Sequence, residues 1–127
     1  MVKLRDLIPE YVTPQELKNV EKYADRLFSK VGIDVNFTKH FLDRVNDERN
    51  KKPISAAELV HLFKQTYKKY GKKIPKLGDD AQAVIHDMET DVNVPFKLQW
   101  DGQEFDLISK TVMRKKDFQT SNKKLSV

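Results

Sequence analysis

From Val92 onward the apolar residues change period from 3.6 to 2. That change constrains the fold more than any other feature of the chain. Everything before it is spaced for helices and everything after it for strands, which predicts an α+β protein. Val94, Phe96, Leu98 and Trp100 alternate with Asn93, Pro95, Lys97 and Gln99. Asp101-Gly102 follows and predicts a two-residue hairpin turn. That turn sets Trp100 opposite Gln103, Leu98 opposite Phe105, Phe96 opposite Leu107, Val94 opposite Ser109, and Lys97 opposite Asp106. Pro95 predicts an edge strand or a bulge. The second strand continues to Arg114, with Phe105, Leu107, Ser109, Thr111 and Met113 on one face and Lys110, Val112 and Arg114 on the other.

Upstream, three helical segments announce themselves. Thr13-Pro14-Gln15-Glu16 is a capping box with proline at the first helical position. Leu17, Val20, Ala24, Leu27, Phe28 and Val31 then form a stripe that Gly32 closes, predicting a helix over 14–31. Ile33 to Asn36 reads as a link. Thr38 as N-cap and Phe37 as staple predict a second helix over 38–49. Ser55 and Glu58 make another capping box, and Leu59, Leu62, Phe63, Thr66, Tyr67 and Tyr70 give the third helix its buried stripe up to Gly71. Residues 79–88 fit either a helix (Ala81, Val84, Ile85, Met88) or a strand (Ala81, Ala83, Ile85), and helix is favoured. The domain then spans 13–118, with an apolar-basic arm at 1–12 and a basic tail at 119–127 that has room for a last strand at 124–127.

Charge bears on the partner. The chain has 24 Lys+Arg against 19 Asp+Glu, a net +5, and a pI of about 9.3. Positive charge gathers at 64–76, 110–116 and 123–124, whereas 79–91 is acidic. Such a two-faced basic molecule suits an anionic partner, nucleic acid first. No apolar run reaches the roughly 18 residues of a membrane span, which predicts no membrane partner. Without cysteine, thiolate chemistry and disulfides are excluded. His40, His61 and His86 lack metal-ligand spacing, so no metal or other cofactor is expected.

The stretch His40-Phe41-Leu42-Asp43-Arg44-Val45 carries the one chemical pattern. On a helix His40 and Arg44, four apart, share a face. The plain alternative is a solvated histidine beside an Arg44–Asp47 ion pair. This stretch, the capped helix at Ile54-Ser55, and the strand Leu107-Ile108-Ser109-Lys110-Thr111-Val112-Met113 together resemble small nucleases of the barnase–EndoU–colicin–RelE (BECR) fold. The similarity covers about 37–118.

The resemblance implies a RelE/BECR-like arrangement, with three or four N-terminal helices on a small C-terminal antiparallel sheet. It implies metal-independent cleavage of RNA: the 2′-hydroxyl loses its proton, its oxygen attacks phosphorus, and cations hold the charge that develops. His40 would be the acid or base. Arg44 and Arg49 would hold the phosphate, and Thr111 would donate to its oxygen. Lys110 or Arg114 would add positive charge, and Tyr67 or Tyr70 would stack on a base. Lys64, on the outer face of the third helix, adds a phosphate contact. Several such families are encoded by tailed bacteriophages, which implies a bacterial host cytoplasm or a virion as the location. Two other functions fit the same residues. One is a non-catalytic virion or interaction protein docking through 1–12 and 115–127. The other is a basic regulator that binds nucleic acid without turnover.

Overall fold

Both capping boxes form. The Thr13 hydroxyl accepts the Glu16 N–H and the Glu16 carboxylate accepts the Thr13 N–H; Ser55 and Glu58 repeat the exchange. They start α1 (Pro14–Phe28) and α3 (Ala56–Tyr70). The computed structural model describes residues 12–127, so the arm expected at 1–12 lies, apart from Val12, outside the described residues. A 3-10 turn at Ser29–Val31 follows α1, and Gly32 ends it with φ +76°. At Gly71 the reason for glycine is different. A Cβ there would meet the Tyr67 carbonyl oxygen at 2.5 Å and the Tyr67 ring at 2.9 Å.

The architecture is α+β: three helices and a mixed six-stranded sheet among the described residues. The strands are β1 (Ile33–Phe37), β2 (Gln82–His86), β3 (Val92–Trp100), β4 (Phe105–Ser109), β5 (Met113–Arg114) and β6 (Lys123–Ser126). Their order is β1-β4-β3-β2-β6, with β5 paired to β3. The sheet is not purely antiparallel as expected, because β1 joins β4 and β6 joins β2 in parallel. The core is built where α1 and α3 meet the sheet, from Phe28, Phe41, Phe63, Leu62, Leu98 and Leu107, all fully buried.

Four further expectations need correction, each for a physical reason. The link at 33–36 is β1, an edge strand. Its Val35 and Phe37 N–H groups are taken by the Asp25 and Glu21 carboxylates of α1, so the helix covers an edge that would otherwise be open to another chain. The second helix is only Phe41–Val45 (α2), with His40 at its N-cap position and no side-chain cap. The Thr38 hydroxyl oxygen is buried and finds no hydrogen-bond partner among the described residues. Asp47 stops α2 by turning extended (ψ 134°) and capping a new 3-10 turn at Glu48–Asn50. Residues 82–86 form a strand, not a helix. Flanked by β3 and β6, β2 buries Ala83, Val84 and Ile85 on both faces, and a continuous apolar run hides the period.

The hairpin, finally, is longer than a two-residue turn. Trp100 pairs with Phe105, Leu98 with Leu107 and Lys97 with Ile108. The Asp101 carboxylate accepts the Gln103 and Glu104 N–H groups, which stabilises a loop over 101–104. The slip is even, so each side chain keeps its face. Lys97 now stands 3.5 Å from Asp80 instead of opposite Asp106. Pro95 lies on a central strand, at the interval where the partner of β3 changes from β4 to β5. There the Ser109 hydroxyl reaches the Pro95 carbonyl at 2.8 Å.

Candidate nucleic-acid interface

The α2–α3 connection and the run through β5 enclose a cleft of about 780 Å³. One wall is Arg44, Asp47 and Arg49 to Lys52; the other is Thr111 to Lys116, with Asp91 at the end. Seven cationic side chains line it against two carboxylates.

Asn50 pins the first wall. It is buried, its amide donates to the Arg44 and Val45 carbonyls, and its carbonyl accepts the Arg114 N–H at 3.0 Å. One side chain thus joins the end of α2 to β5. Directly after it the backbone is strained. Lys51 has φ 63° and ψ −58°, and the Lys52 N–H donates to the Asn50 carbonyl at 2.6 Å. That is a positive-φ γ-turn, a rare and costly conformation for a residue with a Cβ. It persists because its surroundings fix it, and it presents Lys51 and Lys52, both exposed, at the cleft mouth.

Arg114 holds the other end of the same loop. Its guanidinium donates to the Lys52, Pro53 and Thr90 carbonyls and bonds both Glu58 carboxylate oxygens at 2.9 and 3.0 Å. With its side chain only 12% exposed, it is committed to the fold rather than offered to a ligand. Glu58, already the capping-box residue of α3, thereby anchors the cleft as well. On the second wall the buried Asn93 amide reaches the carbonyls of Asp91, Met113 and Lys115. The Lys115 N–H closes on Asp91 at 2.9 Å. These bonds fix the exit of β5 and hold the exposed Lys115-Lys116 pair opposite Lys51-Lys52 across the cleft.

The electrostatics are one-sided. Asp47 stands 2.9 Å from Arg49 and 3.8 Å from Arg44. The Arg49 hydrogen bonds, with Arg44 adding its charge, hold the Asp47 carboxyl down at about 2. The Arg44–Asp47 pair anticipated as the plain alternative therefore exists, but both arginines remain exposed to solvent. Among the described residues no group of three or more His, Cys, Asp or Glu is placed to hold a metal ion. No helix among them is long and apolar enough to cross a membrane.

Of the eight site residues anticipated, the cleft gathers Arg44, Arg49, Thr111 and Arg114. His40, Lys64, Tyr67 and Lys110 are not on its lining. His40, at the N-cap position of α2, and Lys64, on α3, are exposed, and Lys110 is exposed just past β4. The Tyr67 ring is half-buried and packs edge-on against Phe28 at 5.5 Å, and the Tyr70 hydroxyl donates to the Ser126 carbonyl.

Neither a family model, nor a curated protein, nor a solved structure matches the chain. The sequence analysis named neither Lys51-Lys52 nor Lys115-Lys116 as site residues, although 115–116 lie in its basic cluster at 110–116. The available signal was the pairing itself: two lysine doublets, one just before Pro53 and one just after a strand. Asn50 and Asn93 carry no such signal, because their partners are remote in sequence.

Proposed function

We propose that this chain binds RNA, seating the phosphodiester backbone in the basic cleft. One observation carries the reading: Arg44, Arg49, Lys51, Lys52, Lys115 and Lys116, all exposed, converge on one cleft whose backbone is pinned from three elements. Lysines contribute point charges to successive phosphates, and the two arginines can each grip a phosphate with a planar fork. RNA as the class follows from the resemblance to the BECR nucleases.

Titration of a labelled single-stranded RNA by fluorescence anisotropy tests this. With up to six phosphate contacts, the slope of log K against log salt should approach about −4, since each contact on a single strand contributes about −0.7. The double variant Lys51→Glu/Lys52→Glu should weaken binding roughly 100-fold at low salt and flatten the slope by about 1.4. Absence of binding at low salt, or a double variant that binds like the parent, sinks the proposal.

A second reading, retained cleavage, is favoured by the presence of Arg44 and Thr111 on the same cleft. It requires the parent to cut RNA, Thr111→Ala and Arg44→Ala to stop it, and a 2′-deoxy nucleotide at the scission point to resist. If the parent leaves RNA intact, the cleft binds without turnover.

A further inference from the structure

At the end of the sheet where β3 finishes, two features complement each other. The first is Trp100, 48% exposed and, with Met88, one of only two large apolar side chains left open to solvent among the described residues. Its ring leans edge-on against Phe105 at 4.9 Å. Two exposed carboxylates adjoin it: the Trp100 backbone N–H donates to Asp79, and Asp101 follows directly in the chain. Those acids would repel a polyanion, so Trp100 is no base-stacking platform for the nucleic acid of the cleft.

The second feature is a groove of about 350 Å³ between the end of α3, the turn at 74–77 and β6. Ile74, Leu77 and Leu125 give it an apolar floor, and the exposed Lys73, Lys76 and Lys123 ring it. Trp100 and the groove lie at the same end of the sheet. Gln82 pairs with Lys97 and Ala83 with Lys123, so the finish of β3 and the start of β6 project the same way. An apolar knob flanked by two acids and an apolar groove edged by lysines thus share one end of the sheet.

We infer that this surface is a self-complementary interface: two copies of the chain associate about a two-fold axis, each placing Trp100 in the other's lysine-ringed groove. A two-fold operator satisfies both contacts at once, because whatever one copy offers the other receives. Asp79 and Asp101 of one copy then face Lys73, Lys76 and Lys123 of the other. Tryptophan in an enclosed pocket is the kind of residue on which interface energy concentrates. Ion pairs around the rim set register more than affinity.

The chain has one tryptophan, so its emission reads this contact directly. Sedimentation and emission spectra of the full chain, taken from roughly 1 μM to 1 mM, span the affinities expected of such an interface. A shift from 14.9 kDa to twice that mass, accompanied by a blue shift of Trp100 and loss of acrylamide quenching, is the expected result. Trp100→Ala should weaken association about 30-fold or more, and so should Lys73→Glu/Lys76→Glu, with circular dichroism unchanged. Mixing those two variants should partly restore the dimer, since one intact knob and one intact groove then remain. A monomer at every concentration, an open ladder of oligomers, or a dimer whose tryptophan emission does not move would each overturn the inference.

Discussion

Asp47 and Glu104 are carboxyl groups of one molecule pushed in opposite directions. Asp47, beside Arg49 and Arg44 at the cleft, is held down at about 2. Glu104, in the hairpin loop, is hydrogen-bonded to Asp34, partly desolvated, and close to Asp101 and Asp106. It is pushed up to about 7. Burial, followed by Asp101, Asp34 and Asp25, raises Asp106 as well. At the cleft, cations outnumber anions, and the neighbouring arginines favour the ionised form of Asp47. At the far end acids crowd one another until one retains its proton. The contrast extends to the backbone. The cleft is held by buried amides bonding across 64 and 22 positions of sequence, whereas the hairpin loop is held by Asp101 bonding its own neighbours two and three residues on. A pinned cationic site and a locally built acidic tip should respond differently to the same kinds of change.

The largest difference is expected from Asn50→Ala. It removes three hydrogen bonds, to the Arg114 N–H and to the Arg44 and Val45 carbonyls, and at about 1 kcal/mol for each lost bond the cost is about 3 kcal/mol in urea unfolding. The matching deletion at the tip, Asp101→Ala, frees two N–H groups that water can reach and should cost under about 1 kcal/mol. Equal losses at the two ends would erase the distinction between pinned and local.

That distinction also explains what could be read in advance. Both capping boxes, the α1 and α3 stripes and the alternation of β3 were legible because each is written within a few consecutive residues. The hairpin was misjudged by two residues because Asp101 offers its carboxylate to two N–H groups, which makes a longer loop better satisfied than the short turn. In β1, Ile33, Val35 and Phe37 alternate correctly with Asp34 and Asn36. Five residues between a glycine stop and a helix start nevertheless look like a connector until a partner such as β4 is known. Half of the anticipated site assembled because Arg44, Arg49, Thr111 and Arg114 flank elements that meet. The role of Arg114 was not legible, since its Glu58 partner lies 56 positions away.

Strain at the cleft offers the next test. Lys51→Gly relieves the positive φ and should raise stability by about 1 kcal/mol while weakening RNA binding through the lost cation. A variant that gained no stability would show that the γ-turn is unstrained, and one that gained stability with unchanged binding would remove Lys51 from the interface.

At the acidic tip the expected effect is one of pH dependence. Glu104 has a folded-state value above its ordinary 4.5, so its contribution is fully present below about 4.5 and fades as pH rises through about 7. Glu104→Gln cannot ionise and should flatten that part of the stability profile, measured by thermal melts between these limits. A profile identical to the parent would mean that Glu104 is not raised in the folded chain.

The smallest effect is expected from Asp47→Asn, and it reports on the cleft alone. Asp47 competes with any phosphate for Arg44 and Arg49. Removing its charge should therefore tighten RNA binding, by no more than about five-fold, because exposed ion pairs of this kind are worth at most about 1 kcal/mol. The cost falls on the acid limb. Asp47 titrates at about 2 when folded against 3.8 in its ordinary state, so its stabilising effect is present above 3.8 and lost as pH drops toward 2. Asp47→Asn should lack that loss. Tighter binding together with a flatter acid limb would identify the carboxylate as an internal substitute for phosphate. Weaker binding would mean that Asp47 positions the arginines instead of occupying them, and the cleft would then depend on its geometry more than on its net charge.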